Sequence, residues 1–228
     1  FGNAYIDPSL AEDSLLSVLD TQREDGFIPH MSTPERSSRV TQPPVLAWGA
    51  WKLWEKTRST DFLRACYPKL ERYLLWNQKN RTLPDGLYFW HVARDSVHCR
   101  CDESGMDNSP RFDGVAEMDC IDFSCYMLHE AEMMERIAAE TGCGAPSFWS
   151  EFRASLAEKI AALLWDEADG MFYDRIPETG ELHRVRSAAS FLPLFAGACT
   201  PEQARRLTER LRDPATFATP FGVPSIAA

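Results

Sequence analysis

Between Asp102 and Phe112 the chain reads Asp-Glu-Ser-Gly-Met-Asp-Asn-Ser-Pro-Arg-Phe, and a further carboxylate follows at Asp113. Gly105 and Pro110 punctuate the stretch, so its acidic residues belong to a loop rather than to a helix or strand. A loop cannot serve the core. Carboxylates held on one by a rigid scaffold are placed for chemistry or for ligand contact. The competing use is local, with Asp and Asn side chains closing Asx turns and capping helices. Asp102, Asn108 and Asp113, taken singly, fit that local use.

Other reactive residue types form no comparable pattern. His30, His91 and His98 have no spacing that suggests a triad or a metal site, and are read as structural. Seven cysteines at irregular spacing make a poor disulfide framework and favour a reducing, cytoplasmic setting. Cys99-Arg100-Cys101 after His98 invites a zinc reading, but structural zinc sites space their first pair as C-x₂₋₄-C and need a second pair. No EF-hand pattern is present for calcium. The net charge of −10 argues against nucleic acid, which is bound through clustered Lys and Arg. No apolar run approaches the length of a membrane-spanning helix.

The elements that must carry the acidic loop read as helices. Asp7-Pro8 is an N-cap with proline at the first helical position, opening a segment with Leu15, Leu16 and Leu19 on one face. A second helix is expected from Val45 to Lys56, and a third over about 60–80, interrupted or restarted at Pro68. Phe123, Met127, Ala131, Met134 and Ala138 mark a long helix from Asp119 to Glu140. Trp149, Phe152, Leu156, Ile160 and Leu163 mark its partner over Ser147–Leu164. A short apolar helix follows within Ser187–Ala198, and Thr200-Pro201-Glu202-Gln203 is a capping box for the last helix, which ends before Pro214. Asp25-Gly26, Asp85-Gly86 and Asp169-Gly170 repeat one turn device after helical segments. Residues 171–175 and 181–185 read as a hairpin around Pro177–Gly180.

The string from Asp102 to Phe112 resembles the general-acid loop of the inverting α-glycosidases of glycoside hydrolase family 63, which includes mannosylglycerate and glucosylglycerate hydrolases. The related trehalases carry a similar loop, but Asn108-Ser109-Pro110 is closer to family 63. Thr41-Gln42-Pro43-Pro44 is a second, weaker match, to a segment at the mouth of that family's pocket. The resemblance implies an all-α fold, an (α/α)₆ toroid of helical hairpins with short β-hairpin insertions. About seven helices are visible against the twelve of a closed toroid. Residues 1–228 are therefore expected to be the central part of one catalytic domain, with apolar flanks prone to self-association.

By the same resemblance Asp107 is the general acid, with Gln42, Glu103 and Arg111 near the substrate. Trp48 and Trp90 are candidates for stacking on a sugar ring, with core packing the alternative for each. Asp102, Glu103 and Asp113 would raise the pKa of Asp107 if they converge on it, and Arg111 would oppose this. The family's second carboxylate is expected outside this chain, and Glu178 and Glu181 do not match it. The implied partner is a carbohydrate, with no cofactor required. Two rivals stand beside this reading: a non-catalytic carbohydrate-binding or scaffold protein on the same fold, and a trehalase-like enzyme. A terpene cyclase would need a DDxxD helix, which is absent.

Overall fold

A computed structural model of the protein describes residues 2–92 and 101–227; His98 and Cys99 of the zinc reading lie outside them. Packing divides the chain into two compact units, residues 1–81 with 129–153 and residues 82–128 with 154–228. Helices dominate the first; in the second they alternate with 3₁₀ turns, two short strand pairs and loops.

The first unit holds α1 (Asn3–Ile6), α2 (Pro8–Asp20), α3 (Leu46–Thr57) and α4 (Thr60–Asn80). It also takes the later part of α5 (Ile121–Thr141) and the start of α6 (Pro146–Leu163). Asp7 caps α2 as its sequence suggests, its carboxylate accepting the Leu10 N–H at 3.1 Å. Helices α2, α3 and α4 pack on one another through Leu19, Ala47, Ala50, Leu53, Leu63 and Leu70, all buried. Contrary to expectation, α4 runs unbroken through Pro68. The ring sits on the exposed face, where water can satisfy the carbonyl it leaves unpaired, while Cys66, Tyr67 and Leu70 bury the opposite face.

Helix α3 follows Pro43-Pro44 and has Val45 at its N-cap, which offers no side-chain acceptor. A distant residue supplies the cap. Glu130, on α5 and fully buried, accepts the Ala47 N–H at 2.7 Å and the Trp48 N–H at 2.8 Å. These are donors that a helix start otherwise leaves unsatisfied.

The turn after α2 depends on Gly26, at φ +102°. Asp25 closes it by accepting the Phe27 N–H at 3.1 Å. A Cβ on Gly26 would lie 2.6 Å from the backbone oxygen of Arg72, an atom that cannot swing away.

In the second unit β1 (Trp165–Asp166) pairs antiparallel with β2 (Met171–Phe172) around the Asp169-Gly170 turn. Strand β3 (Asp174–Arg175) pairs with β4 (Leu182–His183), Asp174 opposite His183, so the expected hairpin forms over fewer residues, with Met171 and Phe172 paired to β1 instead. The first two Asp-Gly turns share one geometry, Asp85 accepting the Leu87 N–H as Asp25 does Phe27. The third differs: Asp166 accepts the N–H groups of Ala168 and Asp169. Helix α7 (Leu192–Ala196) follows a 3₁₀ turn, and α8 (Pro201–Leu211) opens on the Thr200–Gln203 capping box.

Two outcomes test this account. Gly26→Ala combines a positive φ with a backbone clash and is expected to cost ~1–3 kcal/mol in urea unfolding, whereas a neutral change would show that the turn relaxes freely. Burial pushes the pKa of Glu130 up to about 7, against the amides of Trp48, Ala47 and Leu46. A carboxyl raised above its unfolded value of 4.5 favours the folded state below that pH, and the contribution is lost as pH rises through about 7. Glu130→Gln removes this dependence. The stability of the parent minus that of the variant is therefore expected to fall between about pH 5 and about pH 8, and a constant difference would refute it.

Candidate active site

The acidic loop lies in the second unit, with a 3₁₀ turn at each end, Asp102–Ser104 and Pro110–Phe112. Its serines fasten the ends. Ser104 Oγ donates to the Cys101 carbonyl at 2.7 Å and accepts the Met106 N–H at 3.0 Å. Ser109 Oγ accepts the Arg111 N–H at 3.3 Å. The Ser109 N–H closes back on the Met106 carbonyl at 3.1 Å, with Asp107 and Asn108 at the corners of the turn. Asn108 takes φ +57°, a conformation asparagine tolerates better than most residues. Glu103, Ser104, Ser109, Arg111 and Phe112 are buried, while Gly105, Asp107 and Asn108 are exposed. The loop thus has buried feet and an exposed crest that carries Asp107.

Beneath the crest Arg111 is 0% exposed and held by two carboxylates. Its Nε and Nη2 donate to Asp174 at 2.5 and 2.6 Å, and its Nη1 and Nη2 donate to Asp122 at 2.6 and 2.9 Å. Both contacts are bidentate, the geometry that suits a guanidinium best. Burial opposes the charge on Arg111, but Asp122 and Asp174 outweigh it and raise its pKa well above the ordinary value. One cation against two carboxylates leaves an excess negative charge, which sits at the start of α5. There the Ile121 N–H donates to Asp174 at 2.9 Å and the Phe123 N–H to Asp122 at 2.7 Å. The helix N-terminus favours that charge. The Arg111 carbonyl is tied as well, by His183 Nε2 at 2.9 Å; since the carbonyl can only accept, Nε2 carries the proton.

A second ion pair flanks the first. Arg175 meets Asp119 at 2.8 Å and also pairs with Asp85. Asp119 is buried, and burial, with Asp174 nearby, pushes its pKa up to about 7. Among the described residues no group of three or more His, Cys, Asp or Glu side chains is placed to hold a metal ion.

Two expected roles need correction. Trp90 is fully buried, its ring stacked on Phe123 at 3.9 Å and its Nε1–H donated to Asp122 at 2.9 Å, so no face remains for a sugar. Arg111 is likewise closed to substrate, because its Nε and both terminal nitrogens already bond to Asp122 and Asp174. Glu103 turns inward and accepts the His91 N–H at 3.3 Å. Gln42 and Trp48 belong to the first unit. The Gln42 side chain is exposed, and the Gln42 backbone carbonyl accepts the Tyr73 hydroxyl at 3.2 Å. Trp48 is half-buried, lies edge-on to His129, and lines a cleft of about 360 Å³ with Tyr5, Lys52 and Glu55. Sequence reasoning missed Asp122 and Asp174. Asp122 carries a weak signal, a lone acid in an apolar first turn; Asp174 carries none.

The model of the mannosylglycerate hydrolase MGH1-like glycoside hydrolase domain family matches residues 1–228. Mannosylglycerate hydrolase MGH2 of Selaginella moellendorffii is 25% identical over 307 aligned residues, covering 98% of this chain and 60% of that protein. The cytosolic neutral trehalase of Saccharomyces cerevisiae is 28% identical over 120 residues, 47% of this chain and 16% of the enzyme. The solved structure of the family 63 mannosylglycerate hydrolase of Thermus thermophilus with Tris and D-glycerate superposes with a TM-score of 0.84. It is 20% identical, and the match covers 99% of this chain and 70% of that one. The chain spans less than two thirds of the length of the curated relatives it matches first. Its fold class is that of the family 63 hydrolases and trehalases, the (α/α)₆ toroid. The match over the whole chain settles its membership: the protein belongs to the MGH1-like glycoside hydrolase family, within glycoside hydrolase family 63.

Proposed function

We propose that the protein carrying this chain hydrolyses the α-glycosidic bond of a small glycoside with inversion, and that Asp107 is its general acid. One observation supports this above the rest: Asp107 is exposed on the crest of a loop whose feet are buried and hydrogen-bonded. A carboxyl so held can meet a glycosidic oxygen without a rearrangement of the loop. In this reading the Asp107 carboxyl gives its proton to the leaving oxygen as the bond to the anomeric carbon breaks. A water activated by a second carboxylate attacks from the opposite face, the two carboxyl groups standing ~6.5–9.5 Å apart. We assign no residue of this chain to that base and expect it from outside residues 1–228.

For the substrate, a glycoside of glycerate is favoured over trehalose. The family match runs over all 228 residues, whereas the yeast trehalase aligns with 47% of the chain. Acid–base hydrolysis needs no cofactor. A cytoplasmic setting is supported by six cysteines, Cys66, Cys101, Cys120, Cys125, Cys143 and Cys199, that stand as free thiols.

In the full-length protein, Asp107→Asn is expected to cut hydrolysis of mannosylglycerate or glucosylglycerate by on the order of 10²–10⁴. Aryl glycosides with good leaving groups need less protonation and should lose far less. Equal losses on the two substrate classes would assign Asp107 a binding or structural role instead.

A further inference from the structure

Arg111 lies four residues beyond Asp107 and is the only buried cation of the acidic loop among the described residues. Asp122 reaches it from 11 residues away and Asp174 from 63. Three chain segments therefore meet at one guanidinium: the loop, the first turn of α5 and strand β3. The carboxylates are fixed in turn by the N–H groups of Ile121 and Phe123 and by the Trp90 indole. His183, on β4 opposite Asp174, holds the Arg111 carbonyl. Arg111 Nη1 also lies 3.7 Å from the Met106 sulfur, at the other end of the turn that carries Asp107. Every one of these contacts stops short of the exposed crest.

We propose that Asp174 and Asp122 are positioning residues that act through Arg111, their clasp fixing the Met106–Ser109 turn so that the Asp107 carboxyl meets the leaving oxygen. The inference rests on Asp107 being the general acid. Neither aspartate touches substrate. Their contribution is geometric, and a misplacement of about 1 Å at a reacting group costs up to about 10²-fold in rate. A loop that merely needed an internal ion pair for stability would give a different signature, because a stability defect does not depend on the leaving group.

The test uses the full-length protein, with Asp174→Asn, Asp107→Asn and the double variant. The substrates are a glyceric acid glycoside and a nitrophenyl glycoside of the same sugar. Asp174→Asn is expected to lower kcat about 10- to 100-fold on the glycerate glycoside, with KM nearly unchanged and a much smaller loss on the nitrophenyl glycoside. The double variant should be no slower than Asp107→Asn alone, since a clasp has nothing to position once the proton donor is gone. If Asp107→Asn depends on the leaving group and Asp174→Asn does not, or if their losses multiply, the clasp proposal is wrong while the acid assignment stands. If Asp107→Asn itself loses equally on both substrates, both readings fall. Should Asp174→Asn fail to fold, His183→Leu, which has no donor, removes only a half-buried tether and must reproduce the leaving-group dependence at smaller amplitude; its absence overturns the proposal.

Discussion

A guanidinium shut away from water is tolerable only where carboxylates close on it with good geometry, and in the second unit Arg111 meets that condition twice over. Removing one partner from such a cluster typically costs ~3–5 kcal/mol, because a charge is left buried and uncompensated. The loop, the start of α5 and the β3–β4 hairpin are thereby made to stand or fall together. The adjoining Arg175 is partly exposed and pairs with Asp119 and Asp85. Burial, with Asp174 nearby, raises the pKa of its carboxylate partner Asp119 to about 7.

The first unit uses the same kind of solution at another site. Pro43 and Pro44 set the direction of the chain into α3 but leave Val45 at the N-cap, where a Ser, Thr, Asp or Asn would ordinarily stand. Glu130 takes that place from α5, 83 positions away from Ala47. Trp149 and Tyr67 make a comparable long-range link, the indole N–H meeting the phenol oxygen at 3.1 Å across 82 positions.

Local features of this architecture were legible in the sequence because their physics is local. Asp7 before Pro8, the Thr200–Gln203 box, the helical stripes of α5 and α6 and the hairpin around Pro177–Gly180 involve residues within a few positions of each other. Pro68 misled, since nothing in the sequence tells that its ring faces solvent. The acidic loop was legible as a motif, but the fate of its arginine was not. An Arg beside a carboxylate-rich loop reads as a ligand contact, and only the fold brings Asp174 across 63 positions to occupy it. Trp90 failed for the same reason: its indole N–H needed Asp122, and its face needed Phe123.

The borrowed cap on α3 also bears on how the first unit opens. The leading amides of a helix usually fray first and exchange with solvent readily, being bonded to nothing or to a neighbour in sequence. Those of Ala47 and Trp48 are bonded to Glu130, inside the packing of another helix. Their hydrogens can leave only when α5 withdraws, so the first turn of α3 belongs to the slow-exchanging interior of its unit rather than to its fringe.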